Sequence, residues 1–246
     1  MSEQKKKARK VLLTSGKGGV GKSTLTAMMG RVLTTLNKKV LLLDFDIALR
    51  TQDLMLGVAD RVVYDWYDVI AGRCKPMAAV ISPSMSGPDV LAAPLKPHPI
   101  TKEQVLTLLA QYENFYDYIL VDSPAGVGSG FTAATWGMDL ALVVSTPEPV
   151  CVHSASVAVD LLQETGLPCR LLINRFIRKS VEKERALNID NTIDAVGARL
   201  IGVVPEDMQL ALAAQTGTCV DLRRKSAKAL QRICARLEGE NVPLKV

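Results

Sequence analysis

The residues with the most evident chemistry are Gly16-Lys17-Gly18-Gly19-Val20-Gly21-Lys22-Ser23-Thr24, which follow the spacing of a glycine, four residues, a second glycine, a lysine and a hydroxyl side chain. Such a run suits a polyphosphate. Glycines let the backbone bend close to the charge, and the unpaired amides at the start of the next helix face it. Lys22 is expected to reach the β and γ phosphates and Ser23 to ligate Mg²⁺, with Gly18, Gly19, Val20, Gly21 and Thr24 completing the cradle. Acidic groups follow at two points. Asp44 and Asp46 lie just past the apolar run Val40 to Leu43, where a carboxylate that accepts a hydrogen bond from water can orient it for attack on phosphorus. Asp46 is the candidate for that role, and Asp44 for support of Mg²⁺ and its water shell. Asp122 closes the apolar run Tyr118-Ile119-Leu120-Val121. It is a candidate Mg²⁺ ligand through water, with the Gly126 amide beyond it as a γ-phosphate sensor.

These groups need elements to hold them. Apolar runs predict strands near Val11 to Ser15, Val40 to Asp44, Val90 to Ala93, Tyr118 to Asp122, Leu140 to Ser145, Arg170 to Asn174 and Leu200 to Val204. Helical periodicity predicts helices near Ser23 to Leu36, Lys102 to Tyr112, His153 to Thr165 and Asn191 to Ala198. In the first of them, Leu25, Met28, Met29, Val32, Leu33 and Leu36 mark the buried face. Strands as continuously apolar as Leu140-Ala141-Leu142-Val143-Val144 suit a sheet covered on both sides. The expected fold is therefore α/β: a single doubly wound, mainly parallel sheet with helices on both faces, of the P-loop NTPase kind, with ligands at the carboxyl ends of its strands.

The chain of 246 residues, 48% hydrophobic and 22% charged, is long enough to bury one sizeable core. We expect a basic extension over residues 1–10, carrying Lys5, Lys6, Lys7, Arg9 and Lys10, and one ATPase domain over residues 11–246. No apolar run near the start has the length of a signal peptide or membrane span. The five cysteines, Cys74, Cys151, Cys169, Cys219 and Cys234, are scattered without metal-ligand spacing, which suits a reducing cytoplasm. His98 and His153 are expected to serve the surface or the packing. A net charge of +5 permits an anionic partner without requiring one.

Lys17 narrows the reading. The run from Lys17 to Thr24 resembles the deviant phosphate-loop motif of the MinD and ParA superfamily, in which two subunits face each other around two ATP molecules. In that family this lysine crosses to the partner's nucleotide, in the manner of an arginine finger supplied in trans, a device able to raise rates by about 10³ to 10⁵. Asp44-Phe45-Asp46-Ile47-Ala48-Leu49-Arg50-Thr51-Gln52-Asp53-Leu54 is similar to the first switch of the MinD family, and Arg61-Val62-Val63-Tyr64-Asp65 continues the likeness. Ala48 stands where that family usually has glycine. Asp122-Ser123-Pro124-Ala125-Gly126 resembles its second switch, and the cysteine that nitrogenase-type iron proteins carry there is absent. In related ATPases an asparagine at the place of Asn174, and a Pro-Glu-Asp segment at the place of Pro205 and Asp207, line the base pocket. Pro205 and Asp207 are equally what an ordinary helix start would need.

The resemblance implies a Mg²⁺-dependent ATP hydrolase that forms a homodimer on binding ATP and acts in placement of the division septum. It also implies MinC-like or MinE-like regulators. Two departures bear on those partners. Cys151-Val152-His153-Ser154-Ala155-Ser156-Val157 replaces the family's acidic and arginine-bearing helix start used in partner contact. Near the end, Arg224, Lys228, Arg232 and Arg236 face away from Ala227, Leu230, Cys234 and Leu237 on an amphipathic helix expected to dock on the domain. Beyond it the family's amphipathic membrane tail is not found before Val246. Direct membrane binding is expected to be weak or absent, with a cytoplasmic protein recruited to the membrane through a partner. Two rivals stay open: a ParA-like or flagellar-number ATPase using the Arg224 to Arg236 face on DNA, and a scaffold that binds ATP without hydrolysing it.

Overall fold

Val11, Leu12 and Leu13 are each fully buried although successive strand residues point to opposite faces, so both faces of this strand must be covered. The computed structural model describes residues 7–47, 49–83, 87–218 and 220–245. Most of the basic extension, Ala48 of the first switch, Cys219 and Val246 lie outside the described residues. The chain runs β1 (Arg9–Thr14), α1 (Lys22–Thr35), β2 (Val40–Asp44), α2 (Gln52–Met55), α3 (Trp66–Ile70), β3 (Val80–Ile81) and β4 (Asp89–Leu91). It continues through α4 (Lys102–Ala110), β5 (Tyr118–Asp122), α5 (Ser129–Thr135), β6 (Leu140–Ser145) and α6 (Pro149–Glu164). The last part is β7 (Cys169–Phe176), α7 (Arg178–Glu182), α8 (Ile189–Val196), β8 (Leu200–Pro205), α9 (Met208–Thr216) and α10 (Lys225–Leu237).

The strands form one eight-stranded sheet in the order β3-β4-β2-β5-β1-β6-β7-β8. Only the short β3 runs antiparallel to its neighbour. Residues alternate between two cores: Leu12, Leu41, Leu43, Ile119, Val121 and Val143 meet residues of α4, α5 and α6 on one face. On the other, Val11, Leu13, Leu42, Leu120 and Leu142 meet α1, α9 and α10. This is the doubly wound, mainly parallel α/β sheet expected from the sequence. β1 lies in its middle, so the loop leaving β1 opens at the centre of the carboxyl edge, where such sheets place their ligands.

Several expected boundaries shift. β1 begins at Arg9, not Val11: Arg9 pairs with Tyr118, and the Lys10 amide donates to Asp139 Oδ2 at 2.7 Å. The end of the basic stretch is thus part of the sheet. α6 begins at Pro149 rather than His153, because a proline fits a first helical turn whose N–H groups lack partners in any case. Leu36, expected on the buried face of α1, lies beyond its last turn and is exposed. On α10, Ala227, Leu230, Cys234 and Leu237 are all buried against the sheet, so its apolar face is docked as its pattern implied. No helix among the described residues is long and apolar enough to cross a membrane.

Candidate nucleotide site

The loop between β1 and α1 is held by its surroundings before any ligand arrives. The Gly126 amide donates to the Ser15 carbonyl at 3.1 Å, and the Ser15 hydroxyl donates to the Lys17 carbonyl at 2.9 Å. On the other side Asn174, at the end of β7, donates its side-chain amide to the Val20 carbonyl at 2.8 Å. Two glycines are required by this wedging. Gly21 has φ 89°, and a Cβ there would sit 2.4 Å from Asn174 Nδ2. Gly16 presses on α6, where a Cβ would meet the Ser154 carbonyl oxygen at 1.8 Å. Gly21 caps α1 without a side-chain acceptor, which leaves the first amides of that helix open to an anion. Beside them lies a cleft of about 330 Å³, bordered by Gly18 to Thr24, Asp46, Thr51, Ala125 and Arg175.

The charged groups converge beneath this cleft. Lys22 Nζ lies 2.6 Å from Asp122 Oδ1, with the lysine side chain 6% and the aspartate 0% exposed. Asp122 Oδ2 accepts from Gln52 Nε2 at 2.8 Å. Asp44, the register partner of Asp122, is buried and accepts the amides of Asp46, Thr51 and Gln52 at 2.9, 2.8 and 3.0 Å. Burial first, and the charge of Asp122 second, push the Asp44 carboxyl up to about 7 against those three amides. Burial also raises Asp46, opposed by the Lys22 charge and helped by that of Asp122. Both oxygens of Asp44 are thus spent on the loop that carries Asp46. In this conformation Asp44 braces that loop, next to the Asp122 expected to serve Mg²⁺.

The donor set suits Mg²⁺. The Ser23 hydroxyl and the Asp122 carboxylate are hard oxygens, and the buried Gln52 Oε1 beside them has no partner. Ser23 Oγ accepts from Lys22 Nζ at 3.4 Å. Among the described residues no group of three or more His, Cys, Asp and Glu is placed to hold a metal alone. That fits an ion that takes most of its ligands from water and phosphate.

The remaining candidates divide. Lys17 is exposed at the rim, while Lys22 is buried. Asn174 is buried beside the loop, but its donor amide is engaged by Val20. The Gly126 amide, expected to sense a γ-phosphate, is engaged by Ser15 in this conformation. Pro205 closes β8 opposite Phe176. Asp207 caps α9 through the Gln209 amide at 3.0 Å, and its carboxylate accepts from Arg224 twice at 2.7 Å and from Ser226 at 2.6 Å. The Arg224 guanidinium first, then the hydroxyl and amide, hold it down to about 2. Asp207 therefore starts α9 and locks it to α10. Among the histidines, His98 stacks on Tyr67 at 3.8 Å.

Three residues of the site were not singled out from sequence. Arg175 borders the cleft in a left-handed conformation, φ 54°, which nothing in its type announces. Trp66 Nε1 donates to the Asp44 carbonyl at 2.8 Å and stacks on Phe45. Gln52 is the third. Its one legible signal is a polar amide within a switch-like run.

A ParA family model, described as a NUBPL iron-transfer P-loop NTPase, matches residues 6–238. The septum site-determining protein MinD of Bacillus subtilis is 34% identical over 251 residues, covering 96% of this chain and 91% of its own length. Among solved structures, the MinC:MinD cell division protein complex of Aquifex aeolicus contains a chain similar at TM-score 0.91 and 36% identity, covering 97% of this chain and 99% of that one. The Pyrococcus horikoshii septum site-determining protein MinD, complexed with Mg-ADP, is similar at TM-score 0.84 and 26% identity, with 94% and 96% covered.

Proposed function

The chain belongs to the ParA family of P-loop NTPases and, within it, to the MinD group, and on that premise we propose that it is an ATP hydrolase that uses ATP as a dimerisation switch. The observation that carries the reading is the opposite exposure of two lysines in one rigid loop. Lys22 is buried against Asp122, within reach of the cleft it would serve. Lys17 stands exposed, which suits a residue offered to the nucleotide of a second copy of the chain. On ATP binding Lys22 exchanges Asp122 for the β and γ phosphates. Ser23 and Asp122 would hold Mg²⁺, which would supply neutralisation of the phosphate charge. Asp46 accepts a hydrogen bond from the attacking water and lines it up with the γ-phosphorus. The water oxygen bonds to that phosphorus, the bond to the bridging oxygen breaks, ADP leaves with the electron pair, and one water proton passes to an oxygen of the phosphate formed.

By the same reading the ATP-bound dimer presents a surface for a MinC-like partner, and hydrolysis, stimulated by a MinE-like one, withdraws it in septum placement. The protein would then be cytoplasmic and reach the membrane through a partner, because α10 spends its apolar face on α1 and β8. The arginines of that helix are also engaged: Arg224 with Asp207, and Arg236 with the carbonyls of Ile201 and Val242. Lys225 and Lys228 remain exposed beside them, so a DNA-binding face stays the second reading.

The test is size measurement with ATP and with ADP. Asp46→Ala should dimerise with ATP, fall apart with ADP and lose turnover. Lys17→Ala should stay monomeric with both and lose turnover by about 10³ or more. Pairing and hydrolysis both intact in Lys17→Ala would sink the reading.

A further inference from the structure

Gln52 opens α2 and is fully buried, an unusual place for a carboxamide. Its main-chain amide donates to Asp44 Oδ2 at 3.0 Å. Its side-chain Nε2 donates to the Ser23 carbonyl at 3.1 Å and to Asp122 Oδ2 at 2.8 Å. Both neighbours of Nε2 are acceptors only, which fixes the orientation of the amide. One residue thus ties together the loop that carries Asp46, the first turn of α1 and the acid that ends β5. Oε1 of the same carboxamide is buried without a partner. Packing alone would be served at least as well by an apolar side chain, since a buried orphan acceptor is destabilising.

The two oxygens of Asp122 have separate holders: Lys22 on Oδ1 at 2.6 Å, with the Thr26 hydroxyl on the same oxygen at 3.5 Å, and Gln52 on Oδ2 at 2.8 Å. When Lys22 turns to the phosphates, Oδ1 keeps the long contact with the Thr26 hydroxyl at 3.5 Å, and Gln52, at 2.8 Å, sets the plane of the carboxylate. We propose that Gln52 is a positioning residue that orients Asp122 toward hydrated Mg²⁺ and couples that acid to the Asp46 loop. The inference rests on the ATPase reading above and deepens it. A carboxylate free to rotate would bind the metal's water shell less well, and loss of such an outer partner typically weakens metal affinity by about 10- to 100-fold.

The test is equilibrium binding of a fluorescent ADP with and without Mg²⁺, in the wild-type chain and in Gln52→Met, which keeps length and apolar stem but removes both polar atoms. Gln52→Leu serves as a second variant. Without Mg²⁺ the variants should lose less affinity than the Mg²⁺-dependent tightening loses, because Gln52 meets the cradle at the Ser23 carbonyl and not at an amide open to phosphate. The tightening that Mg²⁺ brings should shrink by about tenfold or more, and the Mg²⁺ concentration for half-maximal turnover should rise in step. A variant whose Mg²⁺ tightening equals wild type overturns the proposal, and so does loss of fold in both variants, which would make Gln52 a packing residue. A wild-type chain whose binding ignores Mg²⁺ would instead bring down the ATPase reading itself.

Discussion

Gly16→Ala would place a methyl group 1.8 Å from the Ser154 carbonyl oxygen and 2.3 Å from its carbon. A carbon next to a carbonyl oxygen settles at about 3.3 Å or more, so one side must retreat by about 1.5 Å. α6 is pinned by Val152, Ala155, Ala158 and Val159 in the core, so the loop is the side that moves. Its displacement strains the bonds from Gly126 to Ser15 and from Asn174 to Val20. Overpacking of this kind costs about 1–3 kcal/mol, and each lost hydrogen bond about 1 more. The expected total is about 2–5 kcal/mol, read by urea denaturation. A reacting group misplaced by about 1 Å loses about 10² in rate, so turnover should fall at least that far. Gly18→Ala is the control: its nearest neighbour would be Ala125 Cβ at 3.7 Å, and its stability should stay within about 0.5 kcal/mol of wild type. Wild-type stability and turnover in Gly16→Ala, or equal damage to stability from Gly18→Ala, would refute the steric argument.

Asp207→Asn keeps an acceptor for the Gln209 amide but removes the ion pair that locks α9 to α10. Holding Asp207 at about 2 instead of 3.8 corresponds to about 2 kcal/mol, which the 41% exposure of Arg224 reduces to about 1. The depressed value means the contribution is complete above about pH 4 and vanishes as pH falls toward 2. The stability gap between wild type and variant should therefore be full at pH 6 and narrow progressively below pH 4, and a gap independent of pH would count against the ion pair. Trp66→Phe leaves the ring to stack on Phe45 but deprives the Asp44 carbonyl of its donor. Denaturation should show a loss of about 1–3 kcal/mol, and an unchanged midpoint would mean that the indole N–H contributes nothing there.

The phosphate loop, the acids at the ends of β2 and β5 and the doubly wound sheet were all legible in the chain, because each is a local pattern. A glycine and lysine spacing, a continuous apolar run and an acid just past it mean much the same wherever they occur. The short helices α2, α3, α5 and α7 were not drawn, since one or two turns carry too few residues for a period to show, and α9 was marked in the sequence by a helix start at Pro205 and Asp207 alone. The amphipathic pattern of α10 did predict its docked face.

By itself, then, the sequence determined that a phosphate-loop pattern lies between β1 and α1, with acids at neighbouring strand mouths. Only the tertiary structure decided what those groups do to each other. Gly16 is required by a helix that lies 138 positions further along the chain at Ser154. Asp44 became a brace, Asp207 an interhelical lock, and Gln52 the link between Ser23 and Asp122. The physical reason is common to all four. A side chain's type states which bonds it is able to make, while packing of remote segments decides which partners lie within about 3 Å and whether water is excluded from them.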